Sequence, residues 1–179
     1  LRVRLVDVKV DLRDRIRDVP DFPKPGVVFK DIMPLLGDAA ALAETVDRLA
    51  EWAEPRSPDV VLGAEARGYI TGGALACRLG CGFVPARKPG KLPWRTVAAK
   101  YALEYGFDQL EVHADAVKPG QRVLVHDDVL ATGGTAKATA ELVEQLGGVV
   151  VGFPFIVELT FLDGRSKLPD YDVFSLIQY

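Results

Sequence analysis

Val123-Leu124-Val125, then His126-Asp127-Asp128-Val129-Leu130-Ala131-Thr132-Gly133-Gly134-Thr135, then Val149-Val150-Val151, are the stretches that decide the fold of this 179-residue chain. The two valine-rich runs are wholly apolar and short, as in strands covered on both faces of a parallel sheet. Between them, Thr135 to Leu146 carries Ala136, Ala140, Val143 and Leu146 at helical spacing, and Gly147-Gly148 ends the helix. Strand, loop, helix, strand in that order is a right-handed βαβ unit, so the chain is α/β with a parallel sheet.

Working backwards, Val60-Val61-Leu62 reads as another buried strand, followed by the turn Gly63-Ala64-Glu65-Ala66-Arg67-Gly68 and a helix ending near Gly80. A further strand lies near Phe83-Val84-Pro85-Ala86. Thr96 to Leu103 alternates, with Val97, Ala99, Tyr101 and Leu103 on one side. After a turn at Gly106-Phe107-Asp108, Leu110 to His113 can pair back on it as a hairpin. Asp38 stands where an N-cap belongs, before a helix with Leu42, Val46, Leu49 and Ala53 on one face and Pro55 at its end. Leu5, Val8, Leu12 and Ile16 predict a short first helix that stops before Pro20. Three prolines between Pro20 and Pro25 make the next segment extended and stiff, leading into Val27-Val28-Phe29. Neither repeats nor low-complexity linkers interrupt the chain, which predicts one domain over residues 1–179.

Composition narrows the functions. An apolar fraction of 49% and a charged fraction of 26% are those of a globular protein. A net charge of −3 gives no global attraction to nucleic acid or to an anionic membrane. No signal peptide or membrane span is evident, so a reducing cytoplasmic location is the expectation. Cys77 and Cys81 lack a second pair or a histidine at finger spacing, and read as small buried hydrophobes rather than metal ligands. Charge is nonetheless unevenly placed. Between Ala66 and Leu103 there is no Asp or Glu, while Arg67, Arg78, Arg87, Lys88, Lys91, Arg95 and Lys100 all fall there. Such a stretch is either a solvated charged loop or a place for a small polyanion.

The segment after Val125 argues for the polyanion. In an open α/β sheet, ligands sit at the carboxyl ends of the strands. Gly133 and Gly134 let backbone N–H groups reach an anion without a Cβ in the way. Thr132 and Thr135 add hydroxyl donors, and the helix that follows presents its positive end. The carboxylates of Asp127 and Asp128 would repel a phosphate, so they should face something else, such as sugar hydroxyls. A plain glycine-rich turn opening a helix is the alternative. Other phosphate folds fit poorly: no Gly-x-Gly-x-x-Gly follows a strand, Tyr69 stands where the lysine of a P-loop would be, and no Gly-x-Ser-x-Gly elbow occurs.

Val125 to Thr135 resembles the phosphoribosyl-diphosphate motif of type I phosphoribosyltransferases, and its Leu-Ala-Thr-Gly-Gly-Thr wording resembles the adenine-specific branch. Pro20 to Ile32 resembles that branch's base-binding N-terminal hood. Arg87 to Pro93 with Tyr101 to Gly106 resembles its catalytic flexible loop, and Val157-Glu158-Leu159 with Ser175 to Tyr179 its C-terminal part. Four motifs in order over about residues 10–179 are far more specific than any one. The resemblance implies a parallel-sheet fold with a small N-terminal helix and hood (about 1–35) and a flexible hairpin loop (about 87–113). It also implies a purine-salvage transferase making AMP and pyrophosphate from adenine and 5-phosphoribosyl 1-diphosphate, with Mg²⁺ carried mainly by the substrate and a homodimeric assembly. By the same resemblance, Ala131, Thr132, Gly133, Gly134 and Thr135 hold the 5-phosphate. Arg67, Arg87, Lys88 and Lys91 hold pyrophosphate; Val28, Phe29 and Lys30 hold adenine. Glu104 is the acid/base, and Asp127 and Asp128 attend the ribose. Lys30 stands where Arg is common, and Glu65 and Ala66 where Asp and Ser are usual in animal members. His126 replaces an apolar residue and reads as a strand-end substitution. The alternatives are a transferase of another base specificity, or a non-catalytic ribose-phosphate sensor. A sensor would carry an appended DNA-binding segment, for which the N-terminal residues are too few.

Overall fold

The structure, a computed structural model, describes residues 10–102 and 107–179. They fall into two compact units, Leu1–Asp47 and Arg48–Tyr179.

In the first unit, a 3₁₀ turn at Arg13–Arg15 leads to strand β1 (Arg17–Pro20), which pairs antiparallel with β2 (Val28–Asp31). The helix expected across Leu12 and Ile16 is therefore not formed there, and its earlier part lies outside the described residues. The pairing that follows it places Arg17 opposite Asp31 and lets their side chains form an ion pair. A short helix α1 (Met33–Gly37) precedes α2 (Ala39–Ala53). Asp38 caps α2 as its sequence predicts, its Oδ1 accepting from the N–H groups of Ala40 at 2.9 Å and Ala41 at 3.1 Å.

The second unit is built on a five-stranded sheet. Its strands are β3 (Val60–Ala64), β4 (Gly82–Ala86), β7 (Arg122–Leu130), β8 (Val149–Glu158) and β9 (Val173–Gln178), after the hairpin β5 (Thr96–Ala102) and β6 (Phe107–His113). The order is β4-β3-β7-β8-β9 and every neighbouring pair is parallel. Helix α3 (Gly68–Leu79) joins β3 to β4, and α4 (Gly134–Gln145) joins β7 to β8. Gly80, at φ 69°, takes the left-handed position that ends α3. Val60, Leu62, Val123 and Val125 share one buried cluster with residues of α4 and the hairpin. Alternation puts Val61 and Leu124 on the opposite face, and they too are fully buried. The sheet is covered on both sides, which is why its strands are apolar throughout rather than alternating.

Several boundaries differ from those read in the sequence. β7 runs on through the acidic residues to Leu130, with Asp127 opposite Phe155 and Leu130 opposite Glu158 in β8. Pairing on the β8 side keeps the chain extended where polar residues argued for a loop. β8 likewise continues through Pro154, whose carbonyl is taken by His126. Phe107 and Asp108 are already strand in β6, not turn, and the tip of that hairpin lies outside the described residues. Cys77 is exposed and Cys81 half-buried, not core residues, because they fall on or just past the outer side of α3's last turn. No helix among the described residues is long and apolar enough to cross a membrane.

Candidate active site at the carboxyl edge of the sheet

Because β3, β4 and β7 are parallel, their carboxyl ends lie on one edge of the sheet. The chain moves from β3 outward to β4 on one side, and from β7 to β8 and β9 on the other. The switch point is thus between β3 and β7, where a crevice opens in folds of this kind. Topology alone gathers the turn after β3 (Glu65, Arg67), the segment after β4 (Arg87, Lys88) and the end of β7.

A concavity of about 60 Å³ occupies the end of β7, lined by Asp127, Val129, Leu130, Phe155 and all of Ala131–Ala136. Its floor is the turn into α4. Gly133 is the N-cap at φ 76° and ψ 0°, a left-handed conformation that costs any other L-residue ~1–2 kcal/mol. A Cβ there would also lie 2.3 Å from the carbonyl oxygen of Gly164. The five residues Ala131, Thr132, Gly133, Gly134 and Thr135 are therefore together, at the positive end of a twelve-residue helix.

The acidic pair divides. Asp128 is buried, and its Oδ2 accepts from Nε of Arg67 at 2.6 Å. Asp127 instead borders the concavity, and its Oδ1 accepts from the N–H of Asp128 at 2.9 Å. Asp128 thus turns towards Arg67, while Asp127 lies at the rim of the concavity. Withdrawal from water, and then the Asp128 charge beside it, hold the Asp127 carboxyl well above the ordinary carboxylate range. Gly68, opening α3, gives close approach here: a Cβ on it would lie 2.9 Å from Oδ1 of Asp127.

His126 lies inside β7, not at its end, and is completely buried. The Pro154 carbonyl can only accept, so Nδ1 carries the proton across their 2.8 Å bond and Nε2 accepts from the Thr71 hydroxyl at 2.7 Å. Burial lowers its pKa to about 4, so the ring is a neutral tie between α3, β7 and β8.

The cations named from the sequence have internal partners. Arg87 Nε lies 3.6 Å from Glu65, and its Nη1 donates to the Lys91 carbonyl at 3.0 Å. The backbone N–H of Lys88 also donates to Glu65, at 2.8 Å, which gives that glutamate a structural place. Lys88 Nζ is paired with Asp108, and the Tyr101 hydroxyl donates to the same carboxylate at 3.0 Å. Asp108 holds the Lys88 ammonium above its ordinary pKa against the opposing effect of burial. Lys91 is exposed, and Glu104 lies outside the described residues. Asp108 and Tyr101 were missed by sequence reasoning. The alternation that places Tyr101 on the inner side of β5 was the available signal for one of them.

Val28, Phe29 and Lys30 follow one another on β2 in the first unit. Phe29 meets Phe22 edge-to-face at 5.3 Å, and Lys30 pairs with Asp18 at 2.7 Å. β2 has one strand neighbour among the described residues, leaving its outer edge able to offer backbone groups.

Residues 30–177 match the family described as the phosphoribosyl transferase domain. A protein of Acidobacterium capsulatum named adenine phosphoribosyltransferase is 58% identical over 168 residues, covering 94% of this chain and 93% of its own length. The chain belongs to the adenine phosphoribosyltransferase family. Among solved structures of this family, that from Thermoanaerobacter pseudethanolicus superposes with a TM-score of 0.92 at 55% identity, covering 94% of this chain and 98% of that one. The Saccharomyces cerevisiae adenine phosphoribosyltransferase, solved with an imino-altritol bisphosphate and adenine, gives 0.89 at 40% identity, covering 92% and 96%. The parallel-sheet fold expected from the motifs is the fold of these family members.

Proposed function

We propose that the chain forms AMP and pyrophosphate from adenine and 5-phosphoribosyl 1-diphosphate, with the β7–α4 turn as its 5-phosphate site. The observation that carries this reading is the concavity at the carboxyl end of β7, floored by Ala131–Thr135 and flanked by Asp127. The helix N-terminus anchors the 5-phosphate, and that remote binding fixes the ribose C1 relative to the other groups. Bond breaking at C1 leaves an oxocarbenium-like sugar, as in glycoside cleavage. Asp127 and Asp128 accept from the ribose hydroxyls and offset that charge. Arg67, Arg87, Lys88 and Lys91 hold the departing pyrophosphate. Phe29 covers the purine while backbone groups of Val28 and Lys30 read its edge. Glu104 exchanges the proton on the purine imidazole nitrogen that bonds to C1.

Mg²⁺ keeps most of its waters and takes one or two carboxylates plus substrate phosphates. No group of three or more His, Cys, Asp or Glu side chains suited to a metal occurs among the described residues. An ion carried in mainly by the diphosphate needs no such cluster, and it would neutralise charge on the leaving group. We place the enzyme in a reducing cytoplasm, consistent with Cys77 and Cys81 both being free. We also expect a homodimer, which sedimentation equilibrium would test.

Purified protein given 5-phosphoribosyl 1-diphosphate, Mg²⁺ and, separately, adenine, hypoxanthine, guanine or xanthine should release pyrophosphate with adenine. Turnover of xanthine or guanine but not adenine would overturn the specificity, and turnover of none would overturn the activity.

A further inference from the structure

Residues 131–133 belong to neither strand nor helix, yet their backbone must keep its N–H groups aimed at an anion. Something behind the turn has to hold it. The backbone of Gly164 lies flush against it: a Cβ on Gly164 would be 2.3 Å from the Ala131 carbonyl oxygen and 3.1 Å from the Gly133 nitrogen. A Cβ on Gly133 would be 2.3 Å from the Gly164 oxygen, so the two segments exclude side chains from each other reciprocally.

Gly164 opens a 3₁₀ turn, Gly164–Lys167, that has no strand ladder of its own. It is tied to the sheet through the next residue. Arg165 donates from Nε and Nη2 to the two oxygens of Glu158, at 2.7 and 2.8 Å, and from Nη1 to the Val173 carbonyl at 2.9 Å. Glu158 is buried at the carboxyl end of β8, and also accepts from Ser175 Oγ at 2.7 Å and Gln178 Nε2 at 3.2 Å on β9. It sits opposite Leu130, the last residue of β7 before the turn, and the N–H of Leu159 donates to the Leu130 carbonyl at 2.9 Å. A two-pronged guanidinium–carboxylate pair fixes direction as well as distance.

From this we propose that Arg165, held by Glu158, is a positioning residue that presses Gly164 against the back of the Ala131–Thr135 turn and so fixes its geometry for the 5-phosphate. The inference rests on reading that turn as the phosphate site. Arg165 holds the Glu158 carboxyl below the ordinary range, so the pair stays ionised throughout the neutral region.

Calorimetry with two probes, ribose 5-phosphate and inorganic pyrophosphate, separates this role from general stabilisation. Arg165→Ala should weaken ribose 5-phosphate by about 10–10²-fold, the usual effect of misplacing a preformed site slightly. Pyrophosphate, held elsewhere, should change by less than about twofold. Arg165→Lys keeps the charge but not the two-pronged geometry and should fall between, as should Glu158→Gln; these two carry the test if the alanine variant does not fold. Weakening of both anions by one factor, or of neither, overturns the proposal. Gly133→Ala serves as the control for the underlying reading. If it abolishes ribose 5-phosphate binding while the Arg165 variants bind normally, only the clamp fails. If it leaves binding intact, the phosphate site and the clamp fall together.

Discussion

The turn at the end of β7 and the basic segment following β4 both gather anion-binding groups, but they are built in opposite ways. The turn, Ala131–Thr135, offers backbone N–H groups in a shape set by a left-handed glycine and by the Gly164 backbone behind it. The segment offers long side chains, and each charged group with a defined partner is already held by a carboxylate: Arg87 by Glu65, Lys88 by Asp108. In the proposed reaction, one region would be preformed for a ligand that stays throughout. The other would let a product leave, and the carboxylates beside Arg87 and Lys88 would make release an exchange of partners rather than an exposure of bare charge. Rigid backbone and replaceable side-chain pairs would thus suit different stages of that reaction.

The sharpest way to separate the two regions is through Glu104. Glu104→Gln should lower kcat by about 10²–10⁴-fold, the usual worth of a positioned acid/base. Affinity for 5-phosphoribosyl 1-diphosphate should barely move, as the anchors lie elsewhere. Steady-state kinetics showing near-normal kcat would remove Glu104 from the acid/base role.

At the turn, Gly133→Ala should cost at least ~10²-fold in AMP affinity, because the ~1–2 kcal/mol left-handed penalty adds to a backbone clash that nothing flexible can relieve. Circular dichroism should show the sheet intact. Wild-type AMP titration curves from this variant would mean that the rigid region does not hold the nucleotide.

The fixed region should also carry a pH signature. His126 has a pKa of about 4 in the fold against 6.5 in an unfolded chain. The unfolded state thus binds a proton that the folded state refuses between those values. The contribution is complete above pH 6.5 and is lost as pH falls towards 4. Between pH 7 and pH 5 this amounts to ~2 kcal/mol. Urea unfolding at both pH values should show that loss in the wild type and a smaller one in His126→Gln. Equal losses in the two proteins would show that His126 is not the group responsible.

The smallest effect belongs to the exchangeable region. Asp108→Asn frees Lys88 from a partly exposed ion pair, worth ~0.2–1 kcal/mol, so pyrophosphate should inhibit more tightly by up to about fivefold. An inhibition constant that rises instead would mean that Asp108 orients Lys88 for the anion rather than competing with it.

Local pattern determined a good deal of this molecule. Apolar runs at Val60–Leu62, Val123–Val125 and Val149–Val151 specify buried parallel strands, because only a sheet covered on both faces tolerates side chains that are apolar on both. The Asp38 cap and the glycine stops at Gly80 and Gly147 act within a few residues of where they stand, so they too are legible in sequence. The left-handed glycine Gly133 at the start of α4 is legible in the same way. Tertiary structure decided the rest. Strand pairing carried β7 through two aspartates, since hydrogen bonds from a neighbouring strand outweigh local preference. The ion pair of Asp128 depends on Arg67, which is 61 residues away, and the backing of the Ala131–Thr135 turn on Gly164 from another part of the chain. No periodicity encodes such meetings, because they exist only after the sheet has brought the ends of its strands to one edge.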